Sequence, residues 1–381
     1  MKNAIMPPAA TIGILSDGQL ARMTILDGVR LGFTFRTLGP GGLDSPAGQV
    51  TPHALRWGPQ GEVSDVLLSL FCDGLSVCLI DSENVSVELV ERIEAKGILV
   101  CPNSKVLRTA QDRLQEKLFA RSVGVPVGEF RCIDSEKDVS GVLALALHDT
   151  ILKTRRGGYD GKGQARIRAG ESIEAAWRSA DIKCAPCILE KKIAFAHEVS
   201  VIVARSSRSI EPYPNEVSSY APFENTHKEG ILRTTGWPAK CRELTDELMS
   251  KAMASTIRYA ETLADELGAE GLLALECFVM HDGTVLFNEM APRPHNSGHV
   301  TIDCAVTSQF TQYVLAACGL PLGSVRMHSQ GTMNNLIGHD IDDLDTHLWS
   351  NVLVHLYGKT EVKDGRKMGH IIYSSPLPDL P

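Results

Sequence analysis

The sequence predicts a mixed fold, α/β at its amino-terminal end and α+β beyond, and three observations carry that expectation. Short apolar strands alternate with helical stretches over residues 11–100, the pattern of a parallel, doubly wound sheet. Farther on, two apolar runs flank His281-Asp282-Gly283-Thr284, and Asp-Gly between such runs signals an antiparallel hairpin. The length, 381 residues, exceeds one ordinary core and calls for two or three domains.

Taken in order, TIGIL at 11–15 reads as a strand, GQLARMTILDGVRLG has helical apolar spacing, and FTFRTL is a second strand. Residues 76–80 form another strand, followed by a helix over 86–96 and a strand over 98–100. Ligands of such sheets bind at the carboxyl ends of the strands, which here carry Ser16-Asp17-Gly18-Gln19-Leu20 and Asp81-Ser82-Glu83-Asn84. Gly13 and Gly18 do not make a dinucleotide fingerprint, and Asp17 is a poor neighbour for a pyrophosphate, so neither ATP nor NAD is expected here.

A helix opening at Gln111-Asp112-Arg113 leads to Val125-Pro126-Val127, the expected start of a second domain. The strand Thr150 to Lys153 then runs into a glycine-rich stretch, Gly157 to Gln164. This is not a Walker A loop, because Gln164 stands where lysine is required; a glycine-rich flap beside cations suits polyphosphate, but taken alone the stretch reads more readily as a mobile surface hairpin. Residues 187–193 form a strand with charges in its second half, and His197-Glu198 precedes the run 199–204. Residues 205–222 read as irregular. A long helix over 244–268 feeds the hairpin, a helix over 308–318 follows it, and a tail of short strands carries Lys359, Arg366 and Lys367.

Chemistry concentrates at the hairpin. A two-residue turn at Asp282-Gly283 would set His281 opposite Thr284, Phe278 opposite Phe287 and Glu276 opposite Glu289. Leu273, Leu275, Val279 and Leu286 would then share one face, and Phe278, Met280 and Phe287 the other, so the hairpin belongs in the interior. Two opposed, buried carboxylates require a shared proton or a cation, and a hard divalent ion such as Mg²⁺ is the economical answer. The strand exits through Ala291-Pro292-Arg293-Pro294-His295-Asn296-Ser297-Gly298-His299, whose prolines set a guanidinium, two imidazoles and an amide at fixed angles.

Composition bounds the partners. Lys and Arg total 38 against 46 acids, a net charge of −8, which argues against a general nucleic-acid or membrane surface. The start has no signal-peptide layout and no apolar run reaches membrane-spanning length. The ten scattered cysteines, including an isolated Cys184-Ala-Pro-Cys187, read as reduced thiols of a cytoplasmic protein.

These pieces resemble a known family. KTRRGGYDGKGQ, EKKIAF with HEVSVIVAR, ENTHKEGIL, LFNEMAPRPHNSGH, TSQF and GRKMGH are similar to the N5-carboxyaminoimidazole ribonucleotide synthetases, ATP-grasp enzymes of purine biosynthesis, over residues 11–372. The resemblance implies an amino-terminal pre-ATP-grasp domain over 1–108, a lid region over 109–192, a large ATP-grasp domain over 193–320 and a carboxy-terminal subdomain over 321–381. It implies that ATP, bicarbonate and 5-aminoimidazole ribonucleotide give the N5-carbamate, ADP and phosphate, in a cytoplasmic homodimer.

Carried over by position, ATP would meet Arg113, Lys153 and the loop Gly158-Tyr159-Asp160-Gly161-Lys162-Gly163-Gln164. Glu190, Lys191, Lys192 and Ile193 would form the adenine hinge, Glu198 would take the ribose, and His227, Asn288 and Glu289 would complete the site. Glu276 and Glu289 would hold Mg²⁺ or Mn²⁺. Gln19, Leu20, Asp81, Asn296, Lys359, Arg366 and Lys367 would hold the ribonucleotide. Arg293 and His295 would hold a carboxyphosphate intermediate, with Asp160 orienting or deprotonating the amine.

The chain departs from the family in two motifs, and its segment 205–222 is longer than usual. It has Ser16-Asp17-Gly18 where three glycines are usual, and Ile80-Asp81-Ser82-Glu83-Asn84 where an aromatic-Glu-Phe-Glu-Asn run is usual. Both lie in the amino-terminal substrate region. A sister ligase acting on formate or another carboxylate, and a catalytically impaired nucleotide-binding regulator, are the alternatives.

Overall fold

The computed structural model describes residues 6, 9–142, 145–158, 162–207, 216–344 and 352–377, and its strands form three sheets. The first contains β1 (Thr11–Leu15), β2 (Thr34–Gly39), β3 (Ala54–Arg56), β4 (Leu75–Ile80) and β5 (Leu99–Cys101), wrapped by α1 (Gln19–Arg30), α2 (Asp65–Cys72), α3 (Val87–Glu94) and α4 (Ser104–Ala110). All its pairings are parallel, in the order β3-β2-β1-β4-β5, as the alternating pattern predicts. The strand order reverses between β1 and β4, so Ser16–Gly18 and Asp81–Asn84 flank the crevice where such sheets take ligands.

Next come α5 (Arg113–Ser122), β6 (Phe130–Ile133), α6 (Glu136–Gly141), β7 (Thr150–Thr154), β8 (Gln164–Ile167), α7 (Ile173–Trp177) and β9 (Cys187–Lys191). Asp112 caps α5, its carboxylate accepting from the N–H groups of Leu114 and Gln115. The four strands form an antiparallel sheet, β6-β9-β7-β8, over a small core of Ile133, Leu152, Ile167, Trp177 and Leu189.

The third sheet has nine strands: β10 (His197–Ser206), β11 (Glu216–Ser219), β12 (Phe223–Lys228), β13 (Ile231–Trp237), β14 (Gly271–Val279), β15 (Val285–Ala291), β16 (Ser329–Ile337), β17 (Val352–Leu356) and β18 (Lys367–Pro376). Its order is β15-β14-β10-β12-β13-β16-β18-β17, with β11 also on β10. The tail expected as short strands therefore builds long ones, β16 and β18, that continue the main sheet. Residues 205–222 are not irregular throughout either, since β10 runs to Ser206 and β11 pairs with it. Residues 208–215 lie outside the described residues.

Helix α8 (Asp246–Leu267), capped by Thr245 and ended by left-handed Gly268, covers one face of this sheet. The other face packs on α10 (Gln309–Cys318) and on the amino-terminal sheet, joining Ile12, Ile14 and Phe35 to Ile202, Leu272 and Tyr313 in one core. The short α9 (Thr301–Cys304) precedes α10.

The hairpin forms with a different turn from the one expected. Met280 N–H donates to Thr284 O at 2.8 Å and Gly283 N–H to Met280 O at 2.9 Å, so three residues, His281 to Gly283, make the loop. Gly283 takes a left-handed φ of 79°, the conformation that this longer turn needs and glycine supplies without strain. The extra turn residue shifts the register, and Phe278 faces Leu286, not Phe287. A one-residue slip moves side chains to the opposite face, so Phe287 joins Cys277 and Val279 in the core under α8. A bulge at Asn288 then restores the pairing of Glu276 with Glu289.

Candidate active site

The site is built where β14 and β15 meet α5, β7 and the end of β9. Glu276 and Glu289 are directly opposed, and each has a basic side chain as neighbour. Arg113 Nη1 lies 2.6 Å from Glu289 Oε2, and His295 Nε2 lies 3.0 Å from Glu276 Oε1. Burial pushes the Glu289 carboxyl up, but Arg113 and then Lys153 and His295 overcome it and hold it at about 2. Glu276 is held below its ordinary value in the same way, by His295 against burial. Both carboxylates are therefore ionised at neutral pH and share no proton, with Arg113 and His295 beside them.

Asn288, the bulged residue, sits between them in sequence with its Oδ1 buried and without a hydrogen-bond partner, while its carbonyl accepts from Lys117 Nζ at 2.7 Å. That unpartnered oxygen and the two ionised carboxylates are oxygen donors of the kind a hard divalent cation takes.

A second cluster lies alongside. Glu190 receives Lys153 Nζ at 2.7 Å on one oxygen and Lys117 Nζ at 3.1 Å on the other. Burial opposes its ionisation, yet the two lysines hold it well below the usual carboxylate range. Lys117 and Glu116, on α5 with Arg113, were not singled out from sequence. Their signal is the spacing i, i+3, i+4, which puts three charged groups on one helix face. Glu116 is buried, accepts from Met290 N–H at 3.1 Å, and is pushed up to about 8 by burial. Glu198 and His227 pair at 2.7 Å; burial lowers the imidazole's proton affinity, but Glu198 and Glu276 outweigh it.

Gly158 and Gly163 close the base of the glycine loop, where Thr154 N–H donates to Gly163 O at 2.8 Å and Gln164 begins β8 opposite Lys153. Tyr159, Asp160 and Gly161 lie outside the described residues; Lys162 is exposed. Lys191 ends β9, and Ile193 is packed so closely on Gly128 that a Cβ there would lie 2.8 Å from its Cδ1. Lys192 is half exposed and 3.7 Å from Asp149, on the periphery.

On the amino-terminal side, Asp81 accepts from Gly18 N–H at 2.8 Å and Ala21 N–H at 2.7 Å, so it caps α1. Burial raises its carboxyl to about 6 against those bonds and Arg293. Asp17 turns away from the helix to accept from Gly41 and Gly42 N–H at 2.8 and 2.9 Å. Both departures from the family pattern thus have structural work in this chain. Gln19 begins α1, while Leu20 packs with Met23, Phe310 and Tyr357 in a small apolar cluster.

Arg293 forms a two-pronged ion pair with Glu83, which sequence reading passed over: Nη2 lies 2.9 Å from Oε1, and Nε bonds Oε2. Gln111 Nε2 holds the Glu83 and Val85 carbonyls at 2.7 and 2.6 Å. Asn296 is buried with neither amide atom partnered. In the tail, Lys359 Nζ donates to Lys367 O at 2.6 Å and Arg366 Nη1 to Glu361 O at 2.9 Å, and Gln49 reaches over to Gly358 O at 2.6 Å.

Comparison with known proteins fits this geometry. Residues 9–111 match the ribonucleotide synthetase preATP-grasp domain, 118–310 the ATP-grasp domain, and 331–376 the phosphoribosylaminoimidazole carboxylase C-terminal domain. The N5-carboxyaminoimidazole ribonucleotide synthase of Brucella melitensis is 38% identical over 377 residues, 99% of each chain. The chain belongs to the N5-carboxyaminoimidazole ribonucleotide synthase family. It is an ATP-grasp ligase, with the doubly wound pre-ATP-grasp domain expected from the sequence. Similar solved structures include the Staphylococcus aureus N5-carboxyaminoimidazole synthetase with ADP (TM-score 0.87, 28% identity, 98% and 95% of the two chains). The Aspergillus clavatus synthase with ADP and 5-aminoimidazole ribonucleotide has a TM-score of 0.85 at 25% identity, covering 97% of this chain and 95% of that one.

Proposed function

We propose that the chain uses ATP and bicarbonate to carboxylate 5-aminoimidazole ribonucleotide to N5-carboxyaminoimidazole ribonucleotide in purine biosynthesis, by way of carboxyphosphate. The observation that carries this reading is the pair of opposed, ionised carboxylates, Glu276 and Glu289, with Arg113 and His295 already on them. The two carboxylates, with Asn288 Oδ1, are oxygen donors that suit Mg²⁺ or Mn²⁺, which when bound would neutralise phosphate charge during transfer.

The chain's own groups do the rest. Bicarbonate is a poor nucleophile facing a polyanion, so Arg113, Lys153 and the loop Gly158–Gln164 bind the phosphates and spread their charge. Glu190 to Ile193 border the adenine, Glu198 takes the ribose, and His227 steadies Glu198. Arg293 and His295 hold the carboxyphosphate away from water and beside the amine. Asp160 orients that amine. Gln19, Leu20, Asp81, Asn296, Lys359, Arg366 and Lys367 bind or shape the ribonucleotide pocket.

The four-part division given under Sequence analysis, a homodimeric state and a cytoplasmic location belong to the same proposal. All ten cysteines are free, in keeping with a reducing compartment. No helix among the described residues is long and apolar enough to cross a membrane.

The test is ADP release with and without aminoimidazole ribonucleotide, with bicarbonate or formate as the acid. Release that requires both ribonucleotide and bicarbonate supports the reading. Stimulation by formate instead would give the chain to a sister ligase, and nucleotide binding without turnover would make it a regulator.

A further inference from the structure

The loop that carries His295 is gripped from behind by a buried glutamine of the TSQF segment. Gln309, the first residue of α10, has no exposed surface. Its Oε1 accepts from His295 N–H at 2.8 Å, and its Nε2 donates to His295 O at 2.7 Å. The same Nε2 lies 3.0 Å from His299 Nδ1. One amide thus satisfies both backbone polar groups of His295 and sets the tautomer of His299.

The grip is itself anchored. Gln309 N–H donates to Thr301 Oγ1 at 2.9 Å, and that hydroxyl donates to Gly298 O at 2.6 Å. Gly298 leaves the room required, since a Cβ there would lie 2.5 Å from Gln309 Oε1. The imidazole carried on that backbone has a further partner: Nδ1 lies 2.8 Å from Ser297 Oγ, which accepts from Ser200 Oγ at 2.7 Å. Beyond His299 the chain of contacts continues. Its ring centroid is 4.8 Å from that of His370, whose Nδ1 is 2.8 Å from the Tyr357 hydroxyl, two residues before Lys359.

We infer that Gln309 is a positioning residue: it fixes His295 over Glu276 and joins that loop to the carboxy-terminal tail, keeping carboxylation coupled to ATP cleavage. The inference rests on the role proposed above for His295. An uncoupled enzyme would release ADP while its acyl phosphate is lost to water. A displacement of the holding group by about 1 Å is enough to cost on the order of a hundredfold in a positioned reaction.

The experiment measures carbamate formed per ADP released, with labelled bicarbonate, in wild type, His295→Ala, Gln309→Met, Thr301→Val and the double variant His295→Ala/Gln309→Met. The ratio does not depend on how much of a variant is folded. Gln309→Met should lower it by about tenfold or more, the usual cost of removing a group that orients a site residue, with KM for ATP unchanged. Thr301→Val should lower it less, and the double variant should be no worse than His295→Ala. If Gln309→Met yields no folded protein, Thr301→Val decides: a wild-type ratio there overturns the inference. So does an uncoupled His295→Ala beside fully coupled Gln309→Met. A fully coupled His295→Ala would instead overturn the role given to His295.

Discussion

Arg113 and Glu289 form an ion pair of 2.6 Å that ties α5 to β15 at the point where Glu276 faces Glu289. The guanidinium therefore occupies the side of Glu289 turned toward α5, while the Glu276 side is held by His295. Removing either carboxylate removes a ligand for the proposed cation and leaves Arg113 or His295 without its acidic partner. Glu276→Gln and Glu289→Gln should each abolish turnover, through lost transition-state stabilisation of several kcal/mol. Circular dichroism should show the fold retained. Near-normal Mg²⁺-dependent ADP release in either variant would remove the metal from the hairpin.

Glu116 gives a pH-dependent prediction. Its carboxyl is raised to about 8 in the folded protein, chiefly by burial. An acid raised on folding contributes stability that is full below its unfolded value, about 4.3, and falls away as pH rises toward the folded one. Glu116→Gln mimics the protonated acid and keeps the acceptor for Met290 N–H. The variant should match wild type near pH 4 and gain on it up to about pH 8, where the difference levels off. Urea unfolding midpoints across that range check this, and a difference independent of pH would contradict it.

Much of this site was legible in the sequence for reasons that are local. Opposed Glu276 and Glu289 follow from alternation of side chains about a turn, and the structure has them opposed. The route differs, because the three-residue loop and the bulge at Asn288 shift the register in opposite senses. A bulge leaves no mark in a hydrophobic pattern, so the Phe278–Phe287 pairing and the face of Leu286 were misread. Asp17 and Asp81 carry a different lesson. As short acids at strand ends they resemble ligand groups, and only the fold shows the amides they cap. Glu83, Ser200, Ser297 and Gln309 act through partners 14 to 210 residues away, which no window along the chain reveals.

The tail offers a test of ligand assignment. Lys359 is braced on Lys367 O, and Arg366 on Glu361 O, so the cluster is held together by its own backbone. Arg366→Ala and Lys367→Ala should weaken the ribonucleotide by about tenfold, the worth of one charge-assisted contact to a phosphate monoester. ATP affinity should change little. Titration calorimetry with each ligand separates the two, and an equal loss of ATP affinity would detach the tail from the ribonucleotide.

The last prediction concerns Arg293. Its guanidinium meets Glu83 through two nitrogens, and Glu83 is held below its ordinary value by Arg293 against burial. The pair links the segment after β15 to the crevice of the amino-terminal sheet, so it holds the proposed metal-side loop against the proposed ribonucleotide side. Lysine keeps the charge but cannot reproduce the planar fork. In Arg293→Lys, ATP and the divalent cation should bind as in wild type, because Arg113, Lys153, Glu276 and Glu289 are untouched. Carbamate should collapse, and the ADP still released should no longer require the ribonucleotide. Glu83→Gln should show the same uncoupling in milder form, since the guanidinium remains but one charged anchor is gone. ADP and labelled carbamate measured in one reaction distinguish the outcomes. Tight coupling at near wild-type rate in both variants would make the ion pair a strut between two sheets and nothing more.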